Sequence, residues 1–150
     1  MIHTRILMVC LGNICRSPLA EGILKSMVNS DYILVDSAGT SAFHSGELPD
    51  NRSIKVAQKY SIDITDQRSR QFLATDFDIF DIIYVMDESN KSNVLALAKN
   101  SEDRLKVKLI LDECKSTTNK NVPDPYYDND GFELVYNMLH EACSVISNKL

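Results

Sequence analysis

In the run Cys10, Leu11, Gly12, Asn13, Ile14, Cys15, Arg16, a thiol and a guanidinium stand with five residues between them, and Ser17 and Pro18 follow at once. If such a run turns from a strand into a helix, its backbone N–H groups point inward and bind an anion. The planar fork of Arg16 can then hold two oxygens of a phosphate-like group. A cysteine at the base of such a ring lies in a field that favours thiolate. Helix N-termini and nearby cations lower a free-cysteine pKa from ~8.5 to roughly 3.5–7.5. For Cys10 the chemistry this opens is nucleophilic attack on a bound phosphorus.

The residues inside the run suit the same purpose. Leu11, Ile14 and Cys15 supply backbone amides to the cradle, and Gly12 lets the chain turn tightly and approach a ligand. Asn13 is of a type that tolerates the left-handed conformation, and its amide can tie the loop together. Ser17 has two competing uses: capping the following helix, or donating to the sulfur when that becomes a leaving group. The sequence does not separate them.

For the cradle to form, a strand must end at Cys10 and a helix must begin near Ser17. The apolar run from Arg5 to Cys10 reads as a buried strand. Ser17 followed by Pro18 reads as a cap with proline at the first helical position, and Leu19, Ile23, Leu24, Met27 and Val28 recur at helical spacing. Further strands are expected at Ile33–Val35 (closed by Asp36 to Gly39), Ile79–Met86 and Val107–Leu111. Helices are expected from Asp50 to Tyr60 with Asp50 as cap, and from Asp87 through Val94, Leu95 and Ala98. In the last helix Phe132, Val135, Met138, Leu139, Ala142 and Ile146 form one apolar stripe. Continuous apolar strands alternating with amphipathic helices imply an α/β fold, a parallel sheet covered on both faces. Ligands bind such sheets beyond the carboxyl ends of the strands, near a topological switch point. The Cys10 loop leaves its strand at that end.

A second group lies far along the chain. Transfer of phosphate to sulfur expels an oxygen that needs a proton from a positioned acid. Asp124 stands between Pro123 and Pro125, which disfavour helix at Val122 and Asp124 and restrict how the carboxyl is presented. Tyr126 and Tyr127 follow and suit an aromatic leaving group. Taken alone, this stretch reads as an ordinary surface turn. Its company with the Cys10 loop is what makes it a candidate for chemistry.

Composition narrows the class. At 150 residues the chain fits one domain, residues 1–150, with enough length to bury a core. Sixteen basic against 21 acidic residues give a net charge of −5, against a general nucleic-acid binder and against long-range attraction of an anionic substrate. No apolar run approaches a membrane span, so no membrane association is expected. Four cysteines without CxxC spacing fit a reducing compartment. The expectation is a cytoplasmic monomer, with leaderless secretion left open. The three histidines make no ligand spacing with the cysteines, so neither a metal site nor a cofactor is expected.

The run from Cys10 to Pro18 resembles the signature loop of the low-molecular-weight protein tyrosine phosphatases. The resemblance extends along the chain through Asp36 to Gly39, Pro49 to Arg52, Met86 to Asn90 and Asp124 to Tyr127, in that family's order. It implies a three-layer sandwich with a central four-stranded parallel sheet, the phosphate-binding loop following the first strand. It implies phosphotyrosine hydrolysis through a phosphocysteine on Cys10, with Arg16 gripping phosphate and Asp124 serving as general acid and then base. Phosphotyrosine-containing protein would be the substrate and inorganic phosphate a product. Phe43 would face Tyr126 across the substrate ring, or else simply pack in its loop. Ser37 and Asp87 would support the loop, although Asp87 reads first as a helix cap. Many relatives carry at Gln67 a histidine bonded to the loop asparagine. Cys15 pairs reversibly with the nucleophile in some relatives; the alternative is a small buried side chain. Cys143 reads as core, and Cys114 sits in a loop. The main rival is arsenate reductase on the same fold, but the stretch Met86 to Asn90 holds none of the relay thiols it uses. A phosphate carrier would not need Asp124, and the aromatic residues argue against small metabolite esters.

Overall fold

Five consecutive residues, Ile6 to Cys10, are buried in β1 (Thr4–Cys10), which places this strand in the interior of a sheet. The structure is a computed structural model, describing residues 1–115, 117–128 and 130–150. β2 (Ile33–Gly39), β3 (Ile82–Val85) and β4 (Val107–Leu109) complete a four-stranded, wholly parallel sheet in the order β2-β1-β3-β4. The register runs Cys10 opposite Gly39 on one side and Val9 opposite Val85 on the other.

Alternate residues of β1 feed two cores. Ile6, Met8 and Cys10 join Leu19 and Ile23 of α1 (Arg16–Met27), Val56 of α2 (Asn51–Lys59), and Leu139 and Ile146 of α6 (Gly131–Lys149). Leu7 and Val9 join Phe77 of α3 (Asp76–Ile79), Phe80, and Val94 of α4 (Glu88–Leu95). Each fully buried aliphatic or aromatic side chain of this kind contributes about 1.5–3 kcal/mol. The result is the expected three-layer α/β sandwich.

Several elements differ from the expectation: β2 runs on through Asp36 to Gly39, where only a closing segment was expected, and α4 stops at Leu95, short of Ala98. The third strand begins at Ile82, because its pairing with β1 begins there. Residues 76–79 form a helical turn instead, with Phe77 and Phe80 buried for packing and Ile79 half-exposed. The fourth strand stops at Leu109 and passes into a 3-10 turn, Ile110–Glu113, which buries Ile110 and Leu111. α5 (Ser101–Lys106) was not foreseen; it has almost no apolar stripe and is capped by the side chain of Asn100. Asp50 caps α2 as expected, accepting from Arg52 N.

β1 lies between β2 and β3, so the connections leave it in opposite directions. Its carboxyl end is the switch point of the sheet. Thr40 N donates to Cys10 O at 2.9 Å, Ser41 N to Leu11 O at 2.9 Å and Met86 N to Val9 O at 3.1 Å, so both neighbouring strands hold the start of the loop.

Candidate active site

The loop closes around the sulfur of Cys10. Asn13 N donates to Cys10 Sγ at 3.2 Å, and Ser17 Oγ lies 3.0 Å from the same atom. α1 starts at Arg16 with Cys15 in the cap position and no side-chain cap bond, so the expected cap role of Ser17 is not realised. The chain enters the helix two residues early, which leaves Ser17 inside the first turn with its hydroxyl aimed at the thiol. Asn13 takes the left-handed conformation, φ 56°, as its residue type suggested. Gly12 does not; a Cβ there would instead stand 3.0 Å from Cδ2 of His44, so the glycine makes room for that ring.

A buried polar layer supports the loop from behind. Asn13 Nδ2 donates to Ser17 Oγ at 2.7 Å and to Ser37 Oγ at 3.0 Å, and Ser37 Oγ donates to Glu21 Oε1 at 2.6 Å. Lys25 pairs with the other oxygen of Glu21 at 2.5 Å. Burial nevertheless pushes the Glu21 carboxyl above its ordinary value, outweighing Lys25 and Ser37. Asn13 Oδ1 accepts from Arg70 N at 3.1 Å, while Gln67 Nε2 donates to Pro18 O at 3.0 Å. The backbone of Arg70 thus holds the asparagine carbonyl oxygen, and Gln67 secures the start of α1. Gly39 fits against the loop so closely that a Cβ would meet Leu11 O at 2.8 Å and Asn13 N at 3.0 Å.

Arg16 is buried and fixed on two sides. Its Nη1 donates to Asp87 Oδ2 at 2.6 Å and to Val122 O at 3.0 Å. Burial alone would lower the guanidinium pKa; Cys10 and Asp87 outweigh it and raise the value. Asp87 serves both expected purposes, since its Oδ1 caps α4 by accepting from Asn90 N at 2.8 Å. Arg16 Nη2 lies 3.8 Å from Asp124 Oδ2. Asp124 Oδ1 accepts from Tyr126 N at 3.1 Å, so the aspartate caps the 3-10 turn Pro125–Tyr127 while its other oxygen faces the arginine.

Cys10, Arg16 and Asp124 line one cleft of about 410 Å³ with Leu11, Gly12, Ile14, Cys15, Ser41, Phe43, His44, Tyr126 and Tyr127. Of the twelve expected site residues, Asn13 and Ser17 are the two whose side chains stand behind the wall, gripping the loop. Phe43 and Tyr127 are strongly exposed at the rim, and Tyr126 stands edge-on to Tyr127 with ring centroids 5.1 Å apart. Ser41 and His44 also line the cleft and were not among the expected site residues. His44 lies between Phe43 and Tyr126 and pairs with Glu47 at 2.9 Å. Its position beside Phe43 was the available signal; Ser41 gave none.

Cys15 is a buried free thiol beside Cys10, and burial, with Asp50 and Cys10 adding, pushes its pKa well up. Cys114 and Cys143 are buried in the main core, so the loop cysteine proves to be a packed one. Among the described residues no group of three or more His, Cys, Asp or Glu is arranged to hold a metal, and no helix is long and apolar enough to cross a membrane.

Comparison with known proteins agrees with this architecture. A model of the family described as low molecular weight phosphotyrosine protein phosphatase matches residues 5–150. A low molecular weight phosphotyrosine protein phosphatase of Dictyostelium discoideum is 38% identical, covering 92% of this chain and 88% of its own. The low molecular weight protein-tyrosine-phosphatase PtpA of Staphylococcus aureus is 41% identical, covering 90% and 86%. A protein tyrosine phosphatase of Entamoeba histolytica superposes with a TM-score of 0.91 at 34% identity, covering 97% and 96%. Vibrio vulnificus Wzb, solved in complex with benzylphosphonate, superposes with 0.87 at 29% identity, covering 98% and 99%. The class is therefore that of the protein tyrosine phosphatases, hydrolases of phosphoric monoesters. Within it, the chain belongs to the low molecular weight phosphotyrosine protein phosphatase family.

Proposed function

We propose that this enzyme hydrolyses phosphotyrosine in proteins through a phosphocysteine on Cys10. The observation that carries the reading is the convergence of Cys10, Arg16 and Asp124 on one cleft with an aromatic rim. The loop amides and Arg16 hold the phosphoryl oxygens, and Tyr126, Tyr127 and Phe43 hold the ring. The Cys10 thiolate attacks phosphorus, the P–O bond breaks, and Asp124 gives its proton to the departing phenolate oxygen. Asp124, now a carboxylate, takes a proton from water as that water attacks phosphorus. The P–S bond breaks, inorganic phosphate leaves and the thiolate is restored. Ser17 Oγ, 3.0 Å from the sulfur, can donate to it as negative charge returns.

Benzylphosphonate, the ligand of the Vibrio vulnificus relative, joins an aromatic ring to a phosphonate, the shape this reading requires of a substrate. Against the reductase alternative, Cys15 is the one other described thiol on the cleft, and its pKa is raised. Turnover of aryl phosphates tests the mechanism. Cys10→Ser should abolish it, and Asp124→Asn should slow it by about 10²–10⁴-fold with phosphate inhibition retained. Normal turnover in either variant, or thiol-dependent arsenate reduction by the wild type, would refute the reading.

A further inference from the structure

The first turn of α2 is fastened to the Cys10 loop. Asp50 N donates to Ile14 O at 2.8 Å, and Ser53 Oγ donates to Cys15 O at 3.2 Å. Between these two anchors Arg52 folds back on Asp50. Its Nε and Nη2 donate to the two carboxylate oxygens at 3.0 and 2.9 Å, a two-point grip that holds Asp50 below the usual carboxylate range. The same Nη2 donates to Tyr126 O at 3.0 Å. The guanidinium also lies over the rings of Phe132 and Tyr126, 4.6 and 5.6 Å from their centroids. One side chain thus joins three parts of the chain: the helix that anchors the nucleophile loop, the turn that follows Asp124, and the start of α6.

We propose that Arg52 is a positioning residue for Asp124, a clamp that sets the acid-bearing turn against the loop that carries the sulfur. The inference rests on the acid role of Asp124 given above. A general acid acts only within hydrogen-bond reach of the oxygen it protonates. A displacement of about 1 Å from a change away from the reacting atoms can cost as much as ~10²-fold in rate. Arg52 reaches the turn through a backbone carbonyl, so the chain path is fixed whatever the side chain at position 126. The cradle, residues 10 to 16, keeps its own anchors to β2, β3 and α1 when the clamp is lost. Loosening Arg52 should therefore impair leaving-group protonation and spare phosphate binding.

The test compares phenyl phosphate, a poor leaving group, with p-nitrophenyl phosphate, a good one, in wild type, Arg52→Ala, Arg52→Lys and Asp124→Asn. Arg52→Ala should lower kcat/KM by about 10-fold for phenyl phosphate and by less than about 3-fold for p-nitrophenyl phosphate. Inhibition by inorganic phosphate should stay within about 2-fold of wild type, since the cradle is untouched. Arg52→Lys should change the two substrates in the same order by less. If thermal unfolding shows that the alanine variant does not fold, the lysine variant carries the comparison. Combined with Asp124→Asn, Arg52→Ala should add less than about 2-fold, because both changes remove one function. Equal losses on both substrates, weakened phosphate inhibition or a fully additive double variant would overturn the clamp. Should Asp124→Asn itself fail to steepen the leaving-group dependence, the acid assignment falls and takes the clamp with it. A normal Asp124→Asn response with an inert Arg52→Ala removes the clamp alone.

Discussion

Ser17 Oγ receives Asn13 Nδ2 at 2.7 Å, which leaves its own proton free for Cys10 Sγ at 3.0 Å or, less closely, for Ala38 O at 3.4 Å. A hydrogen bond to a charged partner contributes about 1.5–3 kcal/mol. The sulfur is most charged as it leaves phosphorus in the second step, so Ser17→Ala should slow that step by about 10- to 100-fold. Stopped-flow release of p-nitrophenol should then show a burst followed by a slow steady state; a trace without a burst at reduced turnover would count against this role. Proline at position 18 made Ser17 look like a cap, and only the geometry of the loop, with Cys15 at the cap position, redirects it. The supports of Arg16 were less legible. Asp87 was readable as a cap from its local sequence, whereas its bond to an arginine 71 residues away depends on tertiary structure. Glu21 showed only its i,i+4 pairing with Lys25, and neither its bond to Ser37 nor that of Arg70 N to Asn13 had a local pattern, because those partners lie on other elements.

Among the elements, the contact between the end of β2 and the Cys10 loop is the least tolerant. Gly39 has backbone atoms, Leu11 O at 2.8 Å and Asn13 N at 3.0 Å, where a Cβ would go, and backbone cannot rotate away. Gly39→Ala should therefore cost about 1–3 kcal/mol of stability and push the loop off its geometry. Urea unfolding together with phosphate inhibition reads both effects, and an alanine variant matching wild type in each would refute the close fit. The long helix α6 was legible because period and burial agree, whereas α1 was legible from Pro18 and its apolar spacing although Arg16 to Leu24 are buried without a break. The elements that failed were short. Ile79 and Phe80 are apolar enough for a strand, yet β3 can begin only where β1 offers a partner. α5 is held by a cap and by its neighbours instead of by a stripe, so periodicity could not reveal it.

Across the whole molecule, the buried Glu21 ties the phosphate loop to stability. Its carboxyl lies above the ordinary value of 4.5 in the folded protein, chiefly through burial. The folded state therefore binds the proton more tightly than the unfolded state does. The stability linked to that proton is fully present below the unfolded pKa and is lost as pH rises through the raised folded one. Glu21→Gln keeps an acceptor for Ser37 and has no charge to bury. Relative to wild type, it should gain stability as pH rises from about 4 toward neutrality, less a few tenths of a kcal/mol for the Lys25 pair. Chemical denaturation across that range reads the difference; a gap between the two proteins that stays constant with pH would contradict it. The surplus of acidic over basic residues was plain in the sequence, but which carboxylate is buried was not, because only the packing of α1 on β2 encloses Glu21.

The Asn13 amide has a use beyond holding the loop. Its N–H points at the Cys10 sulfur, nitrogen to sulfur 3.2 Å, away from bulk water. It is thus a built-in sensor of whatever that sulfur carries. In a nitrogen-15 correlation spectrum, this one resonance should move when the sulfur is alkylated, oxidised or phosphorylated, because its acceptor changes in each case. A single backbone signal would then follow the chemical state of the thiol without any reporter group attached to the protein.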